Sequence, residues 1–133
     1  MATPVIHAQA TVNRYGGRIE DYIAIHKWFD FTKSYHPDFR HRALRHHSLG
    51  VEECVEKFGD YIVNSDNKKV PVKTIGEQHI IEDCGYIPSV SDWLINLQPK
   101  RFMMDAKKIE RKVAWKKIYK SLNSTLKLLT TES

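Results

Sequence analysis

At 133 residues, 41% of them hydrophobic and 28% charged, the chain has the size and composition of one soluble globular domain. Its net charge of +5 is uneven: from Lys100 onward ten basic residues stand against three acidic ones, a net of +7, which leaves −2 on the first 99. A nucleic-acid role therefore cannot rest on overall charge. No run approaches the roughly 18 to 20 apolar residues of a membrane span, and the N-terminus lacks the basic-then-apolar order of a signal peptide, so the expected location is cytoplasmic.

His7 to Tyr15 can form two helical turns, which Gly16-Gly17 would stop. Arg18-Ile-Glu-Asp21 opens a second helix with acids in its first turn, and Tyr22, Ile25, His26 and Phe29 fall on its buried side. His26 and Asp30 are four apart and share a side. They suit a pair of metal ligands, or a buried histidine held by a local hydrogen bond.

His36-Pro37-Asp38 breaks the chain. The third helix is expected from about Phe39 to Phe58, ending at Gly59, with a kink or split possible at Ser48 to Gly50 because Gly50 would cost about 1 kcal/mol against alanine. Its opening, Asp38-Phe-Arg-His-Arg-Ala-Leu-Arg-His-His47, packs three arginines and three histidines into ten residues. In helical geometry Arg40, Leu44 and His47 share a side, with Arg42, Ala43 and His46 nearby, so imidazoles and guanidiniums would point together. That chemistry suits an anion, a metal, or both.

Tyr61-Ile-Val and Val70-Pro-Val-Lys-Thr74 read as a hairpin around a polar turn, in which Asn64-Ser65-Asp66 is explained by turn chemistry. Thr74 to Glu77 has capping-box spacing, predicting a helix from Thr74 to Gly85 with His79, Glu82 and Asp83 on one side. Ser89 to Asp92 caps a further helix through Trp93 to Leu97, stopped by Pro99. From Asp105 a basic amphipathic helix is expected, its Lys107, Lys108, Arg111, Lys112, Lys116 and Lys117 opposite an apolar stripe. It can dock on its own domain or contact nucleic acid or a partner protein. Cys54 and Cys84, far apart in sequence, read as core thiols.

The fold class expected is mainly α: a compact helical domain over 1–99 with a hairpin near 61–74, and a basic helical extension over 100–133. If the histidine-bearing helices pack together, His26, Asp30, His46, His47, His79 and Asp83 can ligate zinc, manganese or iron. Arg40, Arg42 and Arg45 can hold a phosphate, and Glu77 or Glu82 can act as general base. The expected activity is metal-assisted hydrolysis of a phosphate-containing substrate, a nucleotide or nucleic acid. A non-catalytic nucleotide or nucleic-acid binder, or an interaction module built on the C-terminal helix, remain alternatives, because no spacing matches a diagnostic metal or nucleophile motif.

The ordered series Asp38 to His47, Asn64-Ser-Asp66, Ile75-Gly-Glu-Gln-His79, Glu82-Asp83 and Ile87-Pro88 to Asp92-Trp93-Leu94 resembles an uncharacterised family of small His/Arg-rich bacterial and phage proteins. The likeness runs from about His7 to Leu97. It implies the cytoplasm of a bacterium or phage-infected cell and carries over no activity, cofactor or catalytic residue. The basic extension after Pro99 departs from the family's compact pattern.

Overall fold

A computed structural model describes residues 2–104 and 116–123. The chain divides into two units, Met1–Asn96 and Leu97–Ser133.

In the first unit, α1 (Pro4–Tyr15) starts where the Thr3 hydroxyl accepts from Ile6 N–H and Pro4 occupies the first helical turn. It ends at Gly16, followed by Gly17, both with positive φ. The turn into α2 (Ile19–Asp30) is clamped by the hairpin loop. Gly17 N–H donates to Asp66 (2.8 Å), Asn64 Nδ2 to Tyr15 C=O and Tyr22 Oη, and the Asp21 carboxylate accepts from Ser65 and from Arg18 N–H. A Cβ on Gly16 would lie 2.7 Å from Asp66 Oδ2, so this approach needs glycine. Asn64 Oδ1 also accepts from Asp66 and Lys68 N–H, as turn chemistry requires.

The expected third helix does not run unbroken from Phe39 to Phe58. A 3-10 turn (Phe31–Ser34) leads to a second 3-10 segment (Phe39–Leu44), and α3 (Ser48–Phe58) starts afresh after an extended His47. The cause is a close crossing. The Arg45 carbonyl packs where a Gly50 side chain would stand, 1.8 Å from an ideal Cβ, so Gly50 permits the turn-back as well as weakening the helix. Arg40, Leu44 and His47 consequently share no side: Arg40 and Leu44 are exposed while His47 is buried.

Strands β1 (Tyr61–Val63) and β2 (Lys69–Pro71) pair antiparallel with Ile62 opposite Val70. α4 (Val72–Cys84) begins two residues before the expected Thr74, because the strand gives way directly to helix at Pro71 and the Thr74 hydroxyl donates back to Pro71 C=O. α5 (Val90–Leu94) is capped reciprocally by Ser89 and Asp92 and stops short of Leu97. The apolar core joins Tyr22, Ile25 and Phe29 of α2 to Val51 and Cys54 of α3 and to Val70, Val72, Ile75 and Ile80. Burial pushes the Cys54 thiol up to about 12 and raises that of Cys84, which fits their reading as core thiols.

In the second unit, α6 (Arg101–Met104) is short and residues 116–123 are helical and exposed. Lys116 and Lys117 stand on that exposed helix, whereas Lys107, Lys108, Arg111 and Lys112 lie outside the described residues.

Candidate metal centre

Beside the apolar core lies a second interior, built from polar groups. α1 supplies His7 and Thr11, α2 supplies His26 and Asp30, the turn before α3 supplies His46, and α4 supplies His79, Glu82 and Asp83. All four histidines are fully buried. Phe29 separates the two interiors: its ring stacks on His79 (centroids 4.9 Å), while its edge lies 3.1 Å from a Cβ built on Gly76.

Four ligand atoms converge here. Asp83 Oδ2 is 3.0 Å from His46 Nε2 and 3.2 Å from His79 Nε2, and Asp30 Oδ1 is 3.3 Å from His79 Nε2 and 3.8 Å from His46 Nε2. A tetrahedral ion with bonds of 2.0–2.1 Å has ligand–ligand edges of about 3.3 Å, which these distances bracket. Two imidazoles and two carboxylates form a donor set for zinc, manganese or iron.

The protons around His79 can be traced. Gln78 Nε2 donates to His7 C=O and to Glu82, which leaves Gln78 Oε1 as an acceptor 3.0 Å from the Thr11 hydroxyl. Thr11 has one proton; directed to either neighbouring oxygen, it leaves His26 Nε2, 2.8 Å away, as the donor to the hydroxyl. Burial and the neighbouring His79 and His7 push the His26 pKa down to about 2, so its Nδ1 is a bare acceptor. His79 Nδ1, at 2.9 Å, has to donate to it. That leaves His79 Nε2 facing two carboxylates. Burial works to raise the pKa of both, but hydrogen bonds from His46, His7 and His79 hold Asp83 well below the usual range, and the His79 contact lowers Asp30. A lone pair against two carboxylates is repulsive. A metal ion between them would relieve that repulsion; where Nε2 instead carries the proton, it is the donor through which His79 lowers the pKa of both carboxylates.

His7 and His26 lie close to His79, yet the three form no second ligand set. Lone pairs lie in the ring plane, whereas His7 and His79 are tilted over one another at 4.0 Å and 32°. Both nitrogens of His7 are already engaged, Nδ1 with Glu82 (2.8 Å) and Nε2 with Asp83 Oδ1 (3.1 Å). Burial lowers its pKa, but these two carboxylates outweigh it and the net shift is upward. His7 thus holds Asp83 by one oxygen while the other faces the centre.

The remaining expected site residues divide. His47 is not brought to the centre: its Nδ1 accepts from Gly50 N–H and its Nε2 donates to Leu44 C=O, so it caps α3. Glu77 lies two residues from His79, on the other side of α4, lining a crevice with Ser48, Val51 and Lys73. Glu82 reaches the network only through His7 and Gln78. Of the arginines, Arg40 pairs with Asp38 in solvent, and Arg45 donates to Trp28 C=O and lies 4.1 Å over the Trp28 ring. Arg42 alone meets the centre. Its guanidinium lies 3.6 Å from Asp83 Oδ1 and 3.4 Å from Asp83 C=O, and its Nε has no partner. It opens onto a crevice lined by Asp83, Cys84, Tyr86, Asp92 and Trp93. Trp93 also donates to His46 C=O, and Pro88 C=O accepts from Ser48 N–H, pinning the segment that carries His46.

The residues that sequence reasoning missed are His7, Thr11 and Gln78. His7 and Thr11 sit one helical turn apart on the buried side of α1, a signal present in the sequence but with nothing to mark it as polar burial.

Comparison with known proteins yields one family: residues 2–103 match a family model described as a domain of unknown function, DUF6915. No curated protein and no solved structure matches the chain.

Proposed function

The chain belongs to the DUF6915 family, and from that premise we propose that it binds one divalent transition metal through Asp30, His46, His79 and Asp83 and hydrolyses a phosphate-containing substrate. The observation that supports the metal is the convergence of His46 Nε2, His79 Nε2, Asp30 Oδ1 and Asp83 Oδ2 into a donor set whose edges fit a tetrahedral ion. A metal bound there would supply a Lewis acid, and would polarise a water only by taking it as a fifth ligand beside the four protein donors. The chain does the rest. His26, fixed by Thr11, accepts from His79 Nδ1 and keeps Nε2 bare for coordination, and His7 steadies Asp83. His46 is not supported in this way: with Nε2 on a metal its Nδ1 would carry a proton, and that atom is buried without a hydrogen-bond partner, as is Nε2 of His41, whose ring stands edge-on at 5.8 Å. Arg42 holds a phosphoryl oxygen beside Asp83. The His7–Glu82 pair links Asp83 to a carboxylate that is 33% exposed, a path for a proton to solvent.

The test is elemental analysis of untagged protein purified without chelator, followed by hydrolysis of a nitrophenyl phosphodiester with added zinc, manganese or iron. Near-stoichiometric metal, absent from a folded His79→Ala variant, together with turnover that Arg42→Gln abolishes while keeping the metal, is the expected result. Folded wild-type protein that takes up no metal would overturn the proposal and leave a proton on His79.

A further inference from the structure

The segment from Trp28 to Arg45 crosses the surface next to Arg42 and carries aromatic side chains outward. Phe31, Tyr35 and Phe39 are 55%, 73% and 62% exposed, far beyond what a soluble surface needs of large rings. They do not cluster as an apolar patch; they alternate with cations. Arg45 lies over Trp28 at 4.1 Å and 5.9 Å from the Phe31 ring, Phe31 meets Tyr35 edge-on at 5.9 Å, and Arg42 lies 5.8 Å from the Phe39 ring. Lys27 and Lys33 add two more positive charges, and the two acids of the stretch are engaged, Asp30 at the centre and Asp38 with Arg40 and His36. Rings that offer faces to flat bases, spaced by groups that pair with phosphates, make the surface chemistry of single-strand binding. Protein interfaces also gather aromatic rings and arginine but are depleted of lysine, so the exposed Lys27 and Lys33 favour a polyanion.

We propose that this surface binds single-stranded nucleic acid, with Tyr35, Phe31 and Phe39 as stacking platforms and Arg42 taking the phosphate nearest the metal centre. This deepens the function above by naming its substrate as a polymer, and it rests on that reading only for cleavage. Binding comes chiefly from the exposed rings, with Arg42, 14% exposed, reached through its crevice, and needs no metal. Duplex bases are stacked on each other and offer the rings no face, so single strands are preferred.

The measurement is fluorescence anisotropy of labelled oligothymidylate and oligouridylate of about 16 nucleotides, the upper range for such sites, in EDTA, using the full chain. The expected result is binding that weakens with salt, is at least tenfold tighter than for duplex of the same length, and falls at least tenfold in Tyr35→Ser/Phe39→Ser with an unchanged circular dichroism spectrum. Lys116→Glu/Lys117→Glu should change it little. Wild-type affinity in the aromatic variant, or loss only in the lysine variant, overturns the assignment. So does self-association, abolished by the aromatic variant, in place of oligonucleotide binding. Because EDTA removes any metal, a failure of the metal centre and a failure of this surface are read separately.

Discussion

The two interiors of the first unit are made by the same helices and obey different rules. On one side of Phe29, the branched chains of Ile25, Val72, Ile75 and Ile80 need only exclusion from water. On the other, His7, His26, His46 and His79 meet Asp30 and Asp83 in a space where every nitrogen must be assigned a proton, a partner or a metal. The apolar side tolerates loss of a side chain as a cavity; the polar side registers it as an uncompensated charge. A folding core alone would not require the second arrangement, since polar burial costs free energy that apolar packing avoids.

The largest contrast comes from removing the shared anion. Asp83→Ala leaves His7, His46, His79 and Arg42 without their common acceptor, and should cost about 3–5 kcal/mol in metal-free protein and abolish metal uptake. Ile80→Ala should cost about 2–5 kcal/mol by cavity formation and leave metal content intact. Denaturant melts with elemental analysis check both; similar metal loss in the two variants would dissolve the distinction between the interiors.

Acid should expose the polar side next. The unfolded chain takes a proton on His26 near pH 6.5, whereas the folded chain does not until about 2, so stability falls as pH drops through that window. By about 1.4 kcal/mol for each unit, His26 alone accounts for about 2 kcal/mol by pH 5. His46, also lowered by burial, acts in the same direction, and Asp30 and Asp83 add to the loss below the ordinary carboxylate range. His7, raised, works oppositely: its contribution is complete below pH 6.5 and fades as pH rises through its folded value. Melting temperatures of metal-free protein between pH 7.5 and 5 should therefore fall, and less steeply in His26→Gln. A flat wild-type profile would mean that His26 is not held neutral.

The smallest effect separates His47 from its neighbour. His47→Ala removes a helix cap and should cost about 1 kcal/mol with metal retained. His46→Ala should lose the metal. Equal metal loss in both would return His47 to the ligand set.

The sequence by itself determined the mainly helical class, a hairpin opening at Tyr61, the turn role of Asn64 to Asp66, and the pair His79–Asp83, because each depends on local spacing. The strand expected over 70–74 instead ends at Pro71, and His26 meets Thr11 and His79 rather than Asp30. A break at Ser48 to Gly50 would by the same reading free both His46 and His47 to turn inward. Only the tertiary structure decided which of two adjacent histidines did so, since that follows from the Arg45 carbonyl crossing Gly50 and from Trp93 pinning His46. Likewise, one arginine of three reaches the centre, because Arg40 is held by Asp38 and Arg45 by the Trp28 carbonyl and ring. His7, Thr11 and Gln78 complete the proton chain from two helices separated by more than sixty residues. Spacing along a chain reports neighbours on one helix; the partner that fixes a histidine's tautomer sits on another.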